Sequence, residues 1–131
     1  MNKIFILPVL LLILMGCNKK EVVAPDFKVS TENDKTAFKV DEQINFNFSG
    51  NPNYITFYSG EDGRMYEFRE RITAGARTDI GVPLQNMTTQ LLTYSYSYAK
   101  AGTFKATFVV SNTNVYGSIS DVKEIVLTIV P

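Results

Sequence analysis

Ile44-Asn45-Phe46-Asn47-Phe48-Ser49 alternates apolar and polar residues without a break. Successive side chains of an extended chain point to opposite faces, so the stretch predicts a strand with Ile44, Phe46 and Phe48 turned toward a core. Extended patterns recur on both sides of it. Residues 26–31 and 36–40 read as short strands separated by the polar turn Glu32-Asn33-Asp34-Lys35. Gly50-Asn51-Pro52-Asn53 is dense turn chemistry, and residues 54–58 resume an aromatic, β-branched run. Ser59-Gly60-Glu61-Asp62-Gly63 turns the chain again, with Asp62-Gly63 suited to a tight hairpin and Gly60 to a positive φ or a bulge.

Further along, residues 64–73 alternate less cleanly. Tyr66, Phe68 and Ile72 share a parity that Glu70 interrupts, which predicts a strand near a sheet edge. Residues 74–87 show no period and read as the longest irregular stretch, a candidate contact loop. Residues 92–98 set Leu92, Tyr94, Tyr96 and Tyr98 against Thr93, Ser95 and Ser97. After a turn at Ala99-Lys100-Ala101-Gly102, the residues Phe104, Ala106, Phe108 and Val110 face inward. Residues 111–120, rich in Asn, Ser and Gly, read as a loop before a last strand at 122–130 that buries Ile125, Leu127 and Ile129. About seven short strands at regular spacing predict an all-β sandwich.

The bulk composition narrows the function classes. The chain has 131 residues, enough for one domain, and 45% of them are apolar. Thirteen Lys and Arg balance thirteen Asp and Glu, which leaves no net field to steer nucleic acid. The densest basic cluster, Arg64, Arg69 and Arg71, is interleaved with Glu67 and Glu70 and reads as a solvated strand face. Histidine is absent, which removes the commonest general base and metal ligand. The single cysteine, Cys17, excludes an internal disulfide.

That cysteine closes the N-terminal segment. Met1-Asn2-Lys3 is a short basic opening, and residues 4–15 are apolar apart from Pro8, too short for a bilayer core of about 30 Å. The run ends in Leu14-Met15-Gly16-Cys17, which looks like a bacterial lipobox. A small residue before the cut admits a peptidase, and the thiol can form a thioether to diacylglycerol. The reading is therefore a signal peptide at residues 1–16, a lipidated Cys17 with a tether to residue 25, and a sandwich at 26–131. Loss of the signal removes Lys3 and leaves the mature chain at −1. The expected location is the outer membrane, facing the cell surface or the periplasm.

Two stretches carry a family resemblance. Tyr94-Ser-Tyr-Ser-Tyr98-Ala-Lys-Ala-Gly102-Thr-Phe104-Lys-Ala-Thr-Phe108-Val-Val-Ser-Asn112 resembles the penultimate hairpin of PKD-type, immunoglobulin-like domains. Ile55-Thr-Phe-Tyr-Ser-Gly60-Glu-Asp-Gly63 stands where those domains carry Trp-x-Phe-Gly-Asp-Gly, with the tryptophan missing and Ser59 and Glu61 intruding. The departure, with Tyr66-Glu-Phe68-Arg69-Glu-Arg71 after it, is similar to envelope lipoproteins of Bacteroidetes that open with a sandwich of unknown function. The resemblance covers residues 38–130 and implies a PKD/Ig-like sandwich associated with Sus-type glycan uptake, in which this domain precedes a larger ligand-binding portion.

Chemistry-bearing clusters are few. Glu61-Asp62 and the Glu67/Glu70 pair are turn and edge charges rather than carboxylates facing across a cleft, so no enzymatic activity is expected. No Asp-x-Asp spacing for Ca²⁺ occurs, and no cofactor or metal is expected. Seven tyrosines remain as binding candidates, since a phenol offers an apolar face and a hydrogen-bonding tip. Tyr94, Tyr96 and Tyr98 are read as lining the core or its end. Tyr54, Tyr58, Tyr66 and Tyr116, near turns, are the candidate ligand contacts. The expected function is a membrane-anchored, non-enzymatic interaction or spacer module with a protein partner in an outer-membrane assembly. The alternative is a carbohydrate-binding module using exposed tyrosines.

Overall fold

The computed structural model describes residues 21–66, 79–87 and 90–131. Among these lie eight strands: β1 (Phe27–Thr31), β2 (Ala37–Lys39), β3 (Ile44–Gly50), β4 (Tyr54–Tyr58), β5 (Val82–Gln85), β6 (Thr93–Tyr96), β7 (Gly102–Asn114) and β8 (Gly117–Val130). A three-stranded sheet has the order β1-β3-β6 and a five-stranded sheet the order β2-β8-β7-β4-β5. Every pairing is antiparallel except β2 with β8.

The alternation at Ile44 does what its period requires. Ile44 and Phe46 are fully buried and Phe48 nearly so, all on the central strand of the smaller sheet. From the facing sheet come Ile55 and Phe57 of β4, Ala106, Phe108 and Val110 of β7, and Leu127 and Ile129 of β8. Phe108 sits at the middle. Its ring centroid lies 5.1 Å from Phe46, 5.1 Å from Phe57, 5.4 Å from Phe48 and 6.4 Å from Phe27. Each buried phenylalanine contributes about 1.5–3 kcal/mol relative to exposure, so this cluster is a major source of stability. The fold is thus an all-β sandwich, as the periodicity predicts.

Three local expectations are corrected. The stretch read as irregular at 74–87 contains β5, whose Val82-Pro83-Leu84-Gln85 shows no alternation because it is an edge strand with a bulge opposite Ile55 and Thr56. Proline is tolerated there because an edge strand needs ladder donors on one side only. The supposed loop at 111–120 is instead the tip of a hairpin in which β7 and β8 pair as far as Asn114↔Gly117. Residues 114–120 are all exposed, so both faces meet water, neither is selected to be apolar, and the two-residue period vanishes. Finally, Leu92 is 62% exposed and stands just before β6, outside the core that its parity suggested. Of the edge strand expected at 64–73, residues 64–66 are not in a strand and residues 67–73 lie outside the described residues.

Candidate functional site

Where β4 ends, the chain makes the turn whose glycines and acids stood out in the sequence. Ser59 is buried, and Gly60 has φ +85° with its backbone against Lys105. A Cβ on Gly60 would sit 2.6 Å from the Lys105 carbonyl oxygen, so only glycine fits. The turn is closed by the Gly60 N–H donating to the Arg64 carbonyl and the Arg64 N–H to the Glu61 carbonyl, each at 2.9 Å. The following segment is tied to the start of β5: the Ile80 N–H donates to the Gly63 carbonyl at 3.1 Å and the Met65 N–H to Asp79 Oδ2 at 2.8 Å.

Tyrosines fasten this turn to the body of the sandwich. The Tyr98 hydroxyl donates to the Ser59 carbonyl at 2.7 Å, and the Tyr96 hydroxyl donates to Glu61 Oε1 at 2.7 Å. Tyr94 and Tyr96 meet the buried Phe57 ring edge-on at 5.1 and 5.2 Å. Their place at the end of the core agrees with the reading from parity. Burial raises the pKa of both phenols, Glu61 raises that of Tyr96 further, and the Arg64 charge at each, with the Ser59 hydrogen bond at Tyr96, opposes the shift. A carboxylate, a guanidinium and two half-buried phenols thus share one end of the sandwich, beside the edge strand β6. This offers hydrogen-bond donors and acceptors to a polar ligand, with no nucleophile and base pair among them.

Of the four candidate contacts, the structure brings two together. Tyr58 and Tyr66 pack at 5.1 Å with their planes tilted by 53°, and burial followed by the Tyr58 phenol raises the Tyr66 pKa. Gly81 approaches them so closely that a Cβ there would lie 2.6 Å from the Tyr58 ring. Tyr54 is 37% exposed at the opposite end of β4, about 13 Å along the strand from Tyr58. Tyr116 stands apart at the β7–β8 tip, 57% exposed beside Val115 at 91%. Leu14, Met15, Gly16 and Cys17 lie outside the described residues. The sequence reading missed Glu61 and Arg64 as neighbours of Tyr94 and Tyr96. The available signal was an alternating tyrosine strand too polar to be central, which places its half-buried phenols at an edge.

Among the described residues no group of three or more His, Cys, Asp or Glu could hold a metal ion. Two facing sheets joined around one aromatic core, with tyrosines gathered about the turn at one end, define a β-sandwich domain. The chain belongs to the family described as a domain of unknown function (DUF5017), whose profile matches residues 16–124. No curated protein matches it.

Proposed function

We propose that the protein is an envelope lipoprotein of Bacteroidetes type, anchored through lipid on Cys17, whose PKD/Ig-like sandwich is a non-enzymatic interaction or spacer module. The assembly it serves is an outer-membrane one, of the Sus-associated glycan-uptake kind. The observation that carries the anchoring is the quartet Leu14-Met15-Gly16-Cys17 closing an apolar run ten residues before β1 begins at Phe27. The family match opens at residue 16, beside Cys17. One acyl chain anchors only marginally, whereas two or three hold stably at about 0.8 kcal/mol per buried methylene. Among the described residues no helix is long and apolar enough to cross a membrane.

The test is Cys17→Ala in the full-length chain. The variant is expected in the soluble fraction while the parent stays with membranes; equal membrane retention refutes the anchor. Cross-linking of the parent in membranes is expected to capture a protein partner. The second reading, a carbohydrate-binding module, is favoured by Tyr54 and Tyr58 sharing the outer face of β4, with Tyr66 packed on Tyr58. Under that reading Tyr58→Ala with Tyr66→Ala lowers retention in polysaccharide affinity gels. Parent and variant migrating alike across a polysaccharide panel would dismiss it.

A further inference from the structure

β7 and β8 pair from Gly102↔Ile129 to Asn114↔Gly117 without a register shift. On its other side β8 is covered by β2 only at Thr128–Val130, because β2 is three residues long. There the Thr128 N–H donates to the Thr36 carbonyl at 2.8 Å, and the Val40 N–H donates to the Val130 carbonyl at 2.9 Å. Alternate residues of a strand direct their backbone groups to the same side, so the even-numbered residues of β8 face away from β7. Ser118, Ser120, Val122, Glu124 and Val126 therefore present backbone donors and acceptors to an edge that no strand covers among the described residues. Such an edge is a template for another strand.

Two features specify the occupant. Val122 is the midpoint of the uncovered stretch 118–126, so a second copy of the stretch, run antiparallel about a two-fold at Val122, pairs every residue in it. Ser118 meets the partner's Val126, Ser120 the partner's Glu124, and Val122 its own counterpart. Independently, this register sets Asp121 opposite the partner's Lys123, and symmetry repeats the pair. Moving the axis by one residue to Asp121 or Lys123 sets like charges opposite each other, which disfavours that pairing. The same register also covers Ile119 and Val126, which are 39% and 54% exposed in the single chain. In that chain Asp121 caps the edge: its carboxylate accepts the Val122 N–H at 2.9 Å and lies 3.2 Å from Lys123 Nζ. Pairing hands the Val122 N–H to the partner's backbone and releases Asp121 to the partner's Lys123.

We propose that the protein pairs with a second copy of itself along β8, joining the two five-stranded sheets edge to edge with Val122 on the two-fold axis. The inference stands apart from the proposed anchoring, since it rests on the strand edge alone.

The test is disulfide cross-linking of the full-length chain carrying Val122→Cys, with oxidised glutathione added to take up the electrons of the two thiols. Directly opposed hydrogen-bonded residues have Cα atoms about 5.5 Å apart, within the span a disulfide bridges. The expected result is a covalent dimer from Val122→Cys and none from the parent, whose only cysteine is Cys17, or from Thr93→Cys on the distant edge strand β6. Adding Lys123→Asp should cut the yield at least about tenfold, because it sets Asp121 opposite a second carboxylate. Adding Asp121→Lys as well should restore it, a rescue that a misfolded variant would not show. Absence of a Val122→Cys dimer, a yield indifferent to the charge exchanges, or equal cross-linking by Thr93→Cys would each overturn the proposal.

Discussion

Replacing Tyr98 by phenylalanine removes one oxygen and leaves the packing in place. The ring is 1% exposed, stacks on Phe104 at 4.6 Å and meets Tyr96 edge-on at 4.9 Å; all of that survives. What goes is the hydroxyl donating to the Ser59 carbonyl at 2.7 Å, in a residue that is itself 2% exposed. A buried acceptor left without its donor costs about 1–3 kcal/mol. A domain of this size has about 5–15 kcal/mol in all, so the loss is a sizeable fraction. It corresponds to a fall in Tm of about 5–15 °C, followed by circular dichroism. The pH dependence provides a second reading of the same bond. Burial first, then Tyr96 and Glu61, raise the folded-state pKa of Tyr98 above its ordinary 10.0. Above that pH the unfolded chain has released the proton while the folded chain keeps it, so stability falls as pH rises. The slope approaches about 1.4 kcal/mol per pH unit for this group, and the contribution is complete below the unfolded value. Tyr98→Phe has no such proton, so the stability gap between the two proteins should narrow above about pH 10. The raised phenols of Tyr66, Tyr94 and Tyr96 are common to both and leave the difference to Tyr98. A Tm change under about 2 °C, or a gap independent of pH, would refute the role assigned to this hydroxyl.

Phe108→Ala empties the site where four other phenylalanine rings converge and should cost about 3–5 kcal/mol, read as a lower urea midpoint at unchanged m value. Glu61→Gln keeps an acceptor for Tyr96 but removes the anion, so the Tyr96 phenol should ionise at lower pH than in the parent. Ultraviolet difference titration against Tyr96→Phe controls isolates that phenol, and an unmoved titration would separate Glu61 from it.

The core was legible because its residues obey a two-residue period with only one face buried. Ile44, Phe46 and Phe48, and Ala106, Phe108 and Val110, could be read from alternation alone. Illegible were the places where a strand has two similar environments. At residues 114–120 both faces meet water, and in β5 a bulge and Pro83 break the period at an edge, so the strand signal fades in each. The cluster of Glu61, Arg64, Tyr94 and Tyr96 was hidden for a different reason. Its members come from segments about thirty residues apart, joined only by the fold of β6 beside the β4 turn. No local pattern encodes such a meeting. Tyr58 and Tyr66 were easier, since a turn rich in glycine returns the chain on itself within eight residues.

Pairing along β8 also constrains how an anchored protein lies on a membrane. A two-fold relating antiparallel strands of one sheet is perpendicular to that sheet, so both copies present the same face in the same direction. The chain enters each sandwich on the side of the β1-β3-β6 sheet: Asn112 Nδ2 donates to the Val23 carbonyl at 3.0 Å, and Asn112 shares the inward parity of Phe108 and Val110. With lipid on Cys17 as proposed, residues 21–23 of both copies lead toward their anchors from that same side. Val22 lies beside Gly117, and in the paired register the two Gly117 residues are about 33 Å apart along the strands. The six residues from Val23 back to Cys17 reach about 20 Å, so each copy keeps its own anchor without straining the pair. Confinement to one surface raises the effective concentration of one edge for another, which favours a pairing too weak to persist in dilute solution. Cys17→Ala in the Val122→Cys background should therefore lower cross-linking together with membrane retention. Loss of retention with undiminished cross-linking would show that the edge pairs without the membrane's help.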